Sequence, residues 1–295
     1  MNIMKYRKLY FMFSSVLVLI SIVSLIVFRL VPSVDFTGGS LVEVAVEKND
    51  FTVEELYPLL ADVYEPTSIQ FSGDKQLLLK GPTIEGSAQS QIIEKLAERA
   101  GTTEIIKFEI VGPTISGELL YKTGIAILLV TGVITLYVWR QFSELKYGVC
   151  AVTAMLHDSL ILLGVFSLLG HFYEVQVDIL FVTALLTTLS FSIHDTVVVF
   201  HRILELRLKQ RRQAFEATVN DAIIETVSRS INNSVTIIVM LAALVLLGGA
   251  SIRWFSVALL VGAIVGTYSS TFLAAPLLIL WDEVAVKRAA LKKRK

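Results

Sequence analysis

Charge is what this sequence has least of. Of 295 residues, 18% are Asp, Glu, Lys or Arg and 54% are apolar, with a mean hydropathy of +0.69. Soluble domains carry about 25% charge, so a soluble enzyme, a disordered tail and a nucleic-acid-binding module are all disfavoured. The single cysteine, Cys150, allows no internal disulfide; it lies in an apolar run and carries no information on redox compartment. There is no Walker A sequence, no G-x-S-x-G and no zinc pattern, and the four histidines have no carboxylate at metal-ligand spacing. No cofactor, metal or catalytic function is expected. The formal net charge of zero hides an asymmetry. Residues 34–117 hold 14 acids and 6 bases, a net of −8, while the rest holds 12 acids and 20 bases, a net of +8. Segments so different in sign are expected to face different compartments.

Long apolar runs are what the sequence has in place of charge. About 20 mostly apolar residues cross a bilayer, and six runs qualify: 9–31, 123–139, 147–169, 179–200, 231–247 and 254–281. The first is too long for a signal peptide, and its end at Phe28-Arg29-Leu30 has no small-residue cleavage site, so it reads as an uncleaved anchor. Basic residues cluster before span one (Lys5, Arg7, Lys8), between spans two and three, between four and five, and in the tail. The loop at 171–178 has no Lys or Arg. The positive-inside rule then places both termini in the cytoplasm and the acidic segment outside.

The expected organisation is a cytoplasmic N-terminus with span one (1–31), an extracytoplasmic domain (32–117), spans two to six (118–281) and a basic cytoplasmic tail (282–295). In the outer segment, 41–46 alternates as a strand, and 51–63 has helical spacing with Asp50 as its N-cap. Residues 69–71 and 77–79 read as strands around a turn at Ser72-Gly73-Asp74; 90–100 reads as a helix ended by Gly101, and 104–111 alternates again. The order β-α-β-β-α-β is that of a ferredoxin-like α+β domain, so the fold class is a six-helix membrane protein with one small ferredoxin-like domain.

Ionisable groups at membrane depth cost at least ~2.5 kcal/mol each on insertion scales and are functional candidates by default. Span three holds His157-Asp158 and span four holds His194-Asp195. Thr188, Ser192, Asp195 and Arg202 share one helical face, and Arg229, Asn233 and Thr236 form a second polar stripe leading into span five. Ion coupling needs a carboxylate that takes up and releases a proton, and a cation that can approach it; Asp195 and Arg229 are the candidates if their helices pack together. The alternative for that pair is a static buried ion pair that fixes helix register. Asp158 is either a transport group or a hydrogen-bonded partner of His157. His194 is either a relay or a packing histidine, and His201 is expected to be solvated at the interface. Gly262, Gly266, Ser270 and Ala274 recur every fourth residue on span six, which suits close helix packing. Residues 215–227 carry an apolar stripe (Phe215, Val219, Ile223, Val227) and read as an amphipathic helix lying on the inner leaflet.

Four motifs join this pattern. DFTGG (35–39) follows span one, VGPTISGELL (111–120) leads into span two, HDS (157–159) lies in span three, and SIHDTVVVFHRILE (192–205) closes span four. With six spans and a small outer domain, they make nearly the whole chain resemble the SecF-type members of the SecD/SecF family, which resemble half of a transporter of the resistance-nodulation-division (RND) superfamily. The resemblance implies a bacterial inner-membrane subunit that pairs with SecD, associates with the SecYEG channel and uses a proton or sodium gradient to pull a translocating polypeptide outward. Carried over by motif, the family's intramembrane Asp falls on Asp195 and the Arg ahead of span five on Arg229. This chain departs from the pattern at His194, where the family has Asn, and at His201, where it has an acidic residue; the choice of ion stays open. Asp35, Gly38 and Gly39 are a hinge candidate, with an ordinary tight turn as the alternative, and Gly112-Pro113 opens the second motif.

Three functions follow for consideration: an export subunit driven by an ion gradient, a small-molecule efflux transporter of the same superfamily, and a scaffold without ion coupling. The stripes on spans four, five and six offer more packing surface than one bundle needs, so a second, similar bundle is the expected partner.

Overall fold

Hydropathy and helix formation coincide along this chain because backbone amides in lipid need internal partners, which an α-helix supplies at every turn. Six helical segments are long and apolar enough to cross a membrane. The computed structural model describes residues 3–48, 50–71, 75–84, 88–142 and 144–292. In chain order these form α1 (Arg7–Val27), a short α2 (Val34–Thr37), β1 (Gly39–Val46), α3 (Val53–Leu60), β2 (Ser68–Phe71), β3 (Gln76–Gly81), α4 (Ala88–Ala100) and β4 (Thr103–Val111). The long helices α5 (Pro113–Gln141), α6 (Leu145–Tyr173), α7 (Ile179–Lys209) and α8 (Phe215–Leu247) follow. The last crossing is composite: α9 (Ala250–Ser269), a π-helical turn (Ser270–Ala274) and α10 (Ala275–Lys292). Two compact units result, one from residues 32–125 and one from 1–31 with 126–295.

In the smaller unit the four strands form one antiparallel sheet in the order β2-β3-β1-β4, the ferredoxin-like arrangement expected from the element order. Alternation decides its faces: Val42, Val44 and Val46 of β1 join Leu77 and Leu79 of β3 against Leu56 and Leu60 of α3 and Ile92 and Leu96 of α4. Thr52, not Asp50, caps α3, because Thr52 and Glu55 complete a reciprocal capping box. Asp50 instead pairs with Arg99 of α4 at 3.3 Å, and the same guanidinium reaches Glu55 at 3.1 Å. Gly101 ends α4 with φ +78°. The turn predicted at Ser72-Gly73-Asp74 lies outside the described residues.

In the larger unit α7 is the central helix, packed on α6, α8 and α9. Asp178 starts it by accepting from the Phe181 amide at 2.7 Å. Small residues let neighbours approach: a Cβ on Gly262 of α9 would fall onto the Thr188 side chain of α7, and one on Gly164 of α6 onto Ser21 of α1. The stripe on the last crossing is therefore used inside this chain, against α7, and leaves Gly262 and Gly266 unavailable to a second bundle. The segment read as a separate surface helix is the N-terminal part of α8, which runs unbroken from Phe215 to Leu247. Its apolar stripe is buried: Phe215, Val219 and Ile223 join Phe200, Ile203 and Leu206 of α7 in the core. The periodicity was that of an amphipathic helix, but protein rather than lipid covers its apolar face.

Glu43 gives a test of the smaller unit. It is 5% exposed on β1, and burial holds its carboxyl above the usual glutamate range, opposed by Lys107 and reinforced by Glu109. The folded state therefore holds this proton more tightly than the unfolded chain, and stability is lost as pH rises from 4.5 through the raised value. Glu43→Gln should raise the melting temperature of the detergent-solubilised protein at pH 7 and lose that gain below pH 4.5. A gain independent of pH would refute the desolvation account. In the bundle, Gly262→Val should cost about 1–3 kcal/mol by overpacking against Thr188. Gly112→Ala, whose added carbon meets open space, is the control in the same melting measurement.

Candidate ion-coupling site

Two carboxylates lie inside the bundle, and no Lys or Arg pairs with either among the described residues. Asp195 of α7 is 8% exposed; its Oδ1 accepts from Ser230 Oγ of α8 at 2.7 Å and its Oδ2 from Ser270 Oγ of the π-turn at 2.7 Å. Asp158 of α6 is fully buried. Its Oδ2 accepts from Ser192 Oγ of α7 at 2.6 Å and from Ser269 Oγ at 2.5 Å, while its Oδ1 lies 2.8 Å from His157 Nδ1. An ionised carboxylate only accepts hydrogen bonds, whereas a hydroxyl can donate or accept. A carboxyl group ringed by hydroxyls can thus be satisfied with or without its proton, which a fixed cation would not permit. His157 Nε2 and Thr188 Oγ1 are buried without a hydrogen-bond partner among the described residues. No group of three or more His, Cys, Asp or Glu side chains is gathered for a metal among these residues.

The structure sorts the sequence candidates. Thr188, Ser192 and Asp195 are all buried on the inner face of α7, while Arg202, further along, is held by Glu205 and Glu225. The helices carrying Asp195 and Arg229 pack together, but the two side chains form no ion pair. Arg229 is exposed and lines a cavity of about 650 Å³ with Val198, His201, Arg202, Glu225 and Thr226. The static buried pair is therefore not present in this conformation. The stripe Arg229, Asn233, Thr236 faces outward; the inward face of α8 is Thr226, Ser230, Ser234, one residue round. Either stripe fits helical spacing, and only the hydroxyl one touches the carboxylate. His194 is exposed and makes no hydrogen bond among the described residues, whereas His201 Nε2 lies 2.9 Å from Gln141 Nε2. Sequence reasoning misses Ser230 and Ser269, since a serine one position from a charged or small-residue stripe carries no signal of its own. It gives Ser270 a packing role on the small-residue stripe, whereas its hydroxyl reaches Asp195.

The glycine pair at the other motif is tightly seated. Gly38 (φ +75°) ends α2, and Gly39 (φ +114°) begins β1. A Cβ on Gly38 would lie 3.1 Å from Ser116 Oγ and 3.4 Å from Pro113 Cα, and one on Gly39 would strike the Gly81 carbonyl. Pro113 opens α5, where its missing amide costs nothing, and Ser116 N donates to Gly112 O at 3.0 Å. Asp35 sits in the first turn of α2, which is started by Ser33 Oγ accepting from the Asp35 amide.

Comparison with known proteins covers both regions. The family model described as "Protein export membrane protein SecD/SecF, C-terminal" matches residues 91–284, and the "SecD/SecF GG Motif" matches 23–50, around Gly38-Gly39. The protein translocase subunit SecF of Thermobaculum terrenum is 35% identical over 95% of this chain and 94% of its own length. That of Vibrio alginolyticus is 37% identical over 93% and 87%. The crystal structure of SecDF from Thermus thermophilus, titled a translocon-associated membrane protein, superposes with a TM-score of 0.86 at 29% identity. It covers 96% of this chain, and this chain spans 39% of the length of that one. With both motif regions matched and curated relatives aligned end to end, the chain belongs to the SecD/SecF family of protein-export membrane proteins.

Proposed function

We propose that this protein is an accessory subunit of the protein-export translocase, in which proton or sodium movement through the bundle drives late steps of export. The observation that carries the reading is the Asp195 carboxylate, buried at membrane depth and held by two neutral hydroxyls, Ser230 and Ser270. Relatives of this length are protein translocase subunits, and the solved relative is translocon-associated. SecD is the natural partner, since this chain matches only two-fifths of the SecDF chain and α5 has no buried residue in its most apolar window. SecYEG and the emerging polypeptide complete the assembly. The basic flanks put both termini in the cytoplasm and residues 32–117 outside a bacterial plasma membrane.

Arg229 supplies the other half of the mechanism. Arg229 and Ser230 are consecutive, so a rotation of α8 by about 100° exchanges a hydroxyl for a guanidinium beside Asp195. The guanidinium favours the charged carboxylate and expels its proton; the hydroxyl accommodates either state. A membrane potential supplies ~2.3 kcal/mol per charge per 100 mV, a useful bias on such a two-state bundle. Gly38-Gly39, in positive-φ geometry against Pro113 and Ser116, is the articulation at the foot of the outer domain.

Asp195→Asn keeps shape and hydrogen bonding but does not titrate. It should assemble at wild-type level and reduce gradient-dependent completion of export in inverted vesicles to the level seen with an uncoupler. Arg229→Lys keeps the charge without the planar fork and should retain only part of the response. A full gradient response in Asp195→Asn vesicles would leave the scaffold reading standing. Drug sensitivity of a deletion strain without accumulation of secretory precursors would favour efflux.

A further inference from the structure

Ser269 and Ser270 are neighbours in the chain, yet each serves a different carboxylate. Ser269 Oγ reaches Asp158 Oδ2 on α6 at 2.5 Å, and Ser270 Oγ reaches Asp195 Oδ2 on α7 at 2.7 Å. Successive residues of a helix diverge by about 100°, which is what lets one turn address two flanking helices. The turn is the point where the α-helix widens into the π-helical segment Ser270–Ala274, a geometry often found at functional positions.

Each hydroxyl also has a second acceptor. Ser269 Oγ lies 3.2 Å from Gly266 O, and Ser270 Oγ lies 3.1 Å from Thr267 O. A hydroxyl has one proton, so donation to the carboxylate and donation to the carbonyl are exclusive. When the carboxylate is ionised it takes the hydroxyl proton. When it gains a proton from the medium, its own O–H donates to the serine oxygen, and the serine proton turns to the carbonyl. No covalent bond changes except the carboxyl O–H, and the carboxyl groups and both serine hydroxyls stay satisfied in both states. The two carboxylates are tied a second time through α7, because Ser192, which donates to Asp158, lies one turn before Asp195.

We propose that Ser269 and Ser270 are positioning residues forming a paired hydroxyl switch that links Asp158 to Asp195, so that the two carboxylates respond as one unit. The proposal rests on the reading of Asp195 as the coupling carboxylate and assigns Asp158 a part in the same step. His157 then holds the far oxygen of Asp158, leaving Oδ2 to the serines.

The test is a double-mutant cycle on gradient-dependent export in inverted vesicles, with the chain in its full membrane assembly. Ser269→Ala and Ser270→Ala should each reduce that component by about tenfold, the weight of one hydrogen bond to a charged group. The double variant should be no worse than either single one. Ser269→Thr and Ser270→Thr, which keep the hydroxyl, should restore export. Loss in the double variant equal to the product of the single losses, about a hundredfold, or Ala variants that export normally, would overturn the link. Should an Ala variant fail to assemble, Ser270→Cys preserves the volume with a much weaker donor and should show the same loss; normal export by it refutes the switch. Full gradient response in Asp195→Asn vesicles would defeat the underlying reading, whereas a dead Asp195→Asn beside normal serine variants defeats the switch alone.

Discussion

A buried carboxylate without a lysine or arginine partner constrains everything placed around it. Two such groups occur in this bundle, and every donor confirmed for Asp195, with two of the three for Asp158, is a serine hydroxyl. That requirement fixes which faces of α6, α7 and the π-turn meet, because a one-residue rotation of any of these would leave a carboxylate oxygen unsatisfied, whereas on α8 the residue beside Ser230 is itself a donor, Arg229. It also explains why α9 is so closely applied to α7: Gly262 and Gly266 bring the backbone near enough for the short side chains of Ser269 and Ser270 to reach across. Close packing and polar satisfaction are one design here, with small residues serving both.

Much of this was legible in the sequence, and the reason is physical. Apolar runs must become helices in lipid, so six crossings follow from hydropathy alone. Period-two alternation and helix caps order the smaller unit, although Thr52 outcompetes Asp50 as a cap because Glu55 stands three residues beyond it. The errors arise where one helical stripe must be chosen over its neighbour. On α8, Arg229-Asn233-Thr236 and Thr226-Ser230-Ser234 are equally periodic, and charge drew attention to the outward one. The buried stripe at Phe215, Val219 and Ile223 was misassigned to lipid for a related reason: periodicity reveals an apolar face but not what covers it.

Arg229 and Asp195 occupy different environments in this conformation, one on a charged cavity and one among hydroxyls. A permanent pair would lock α7 to α8, with a strong penalty for separation. Keeping them on adjacent faces of one packed pair of helices leaves the contact available at the cost of a rotation. The cavity lined by Arg229 already holds a complete ion-pair group in Arg202, Glu205 and Glu225, so the guanidinium has a polar environment while it is away from the carboxylate.

The π-turn has a consequence for how the sequence can vary by length. A π-helical turn holds one residue more than the α-helical ladder calls for, so deleting a single residue between Ser270 and Ala274 would leave an unbroken α-helix. Such a deletion would look harmless by hydropathy. The wide turn takes up its extra residue locally, so everything beyond it would keep nearly the same face, with Leu278 and Ile279 still in the core they share with Tyr147 and Phe200. The change would fall on the turn itself, where Ser269 and Ser270 reach two different carboxylates. Length at this one place is therefore as much a part of the site as residue identity, and a gap there should spare the packing of the crossing while disturbing the serine contacts.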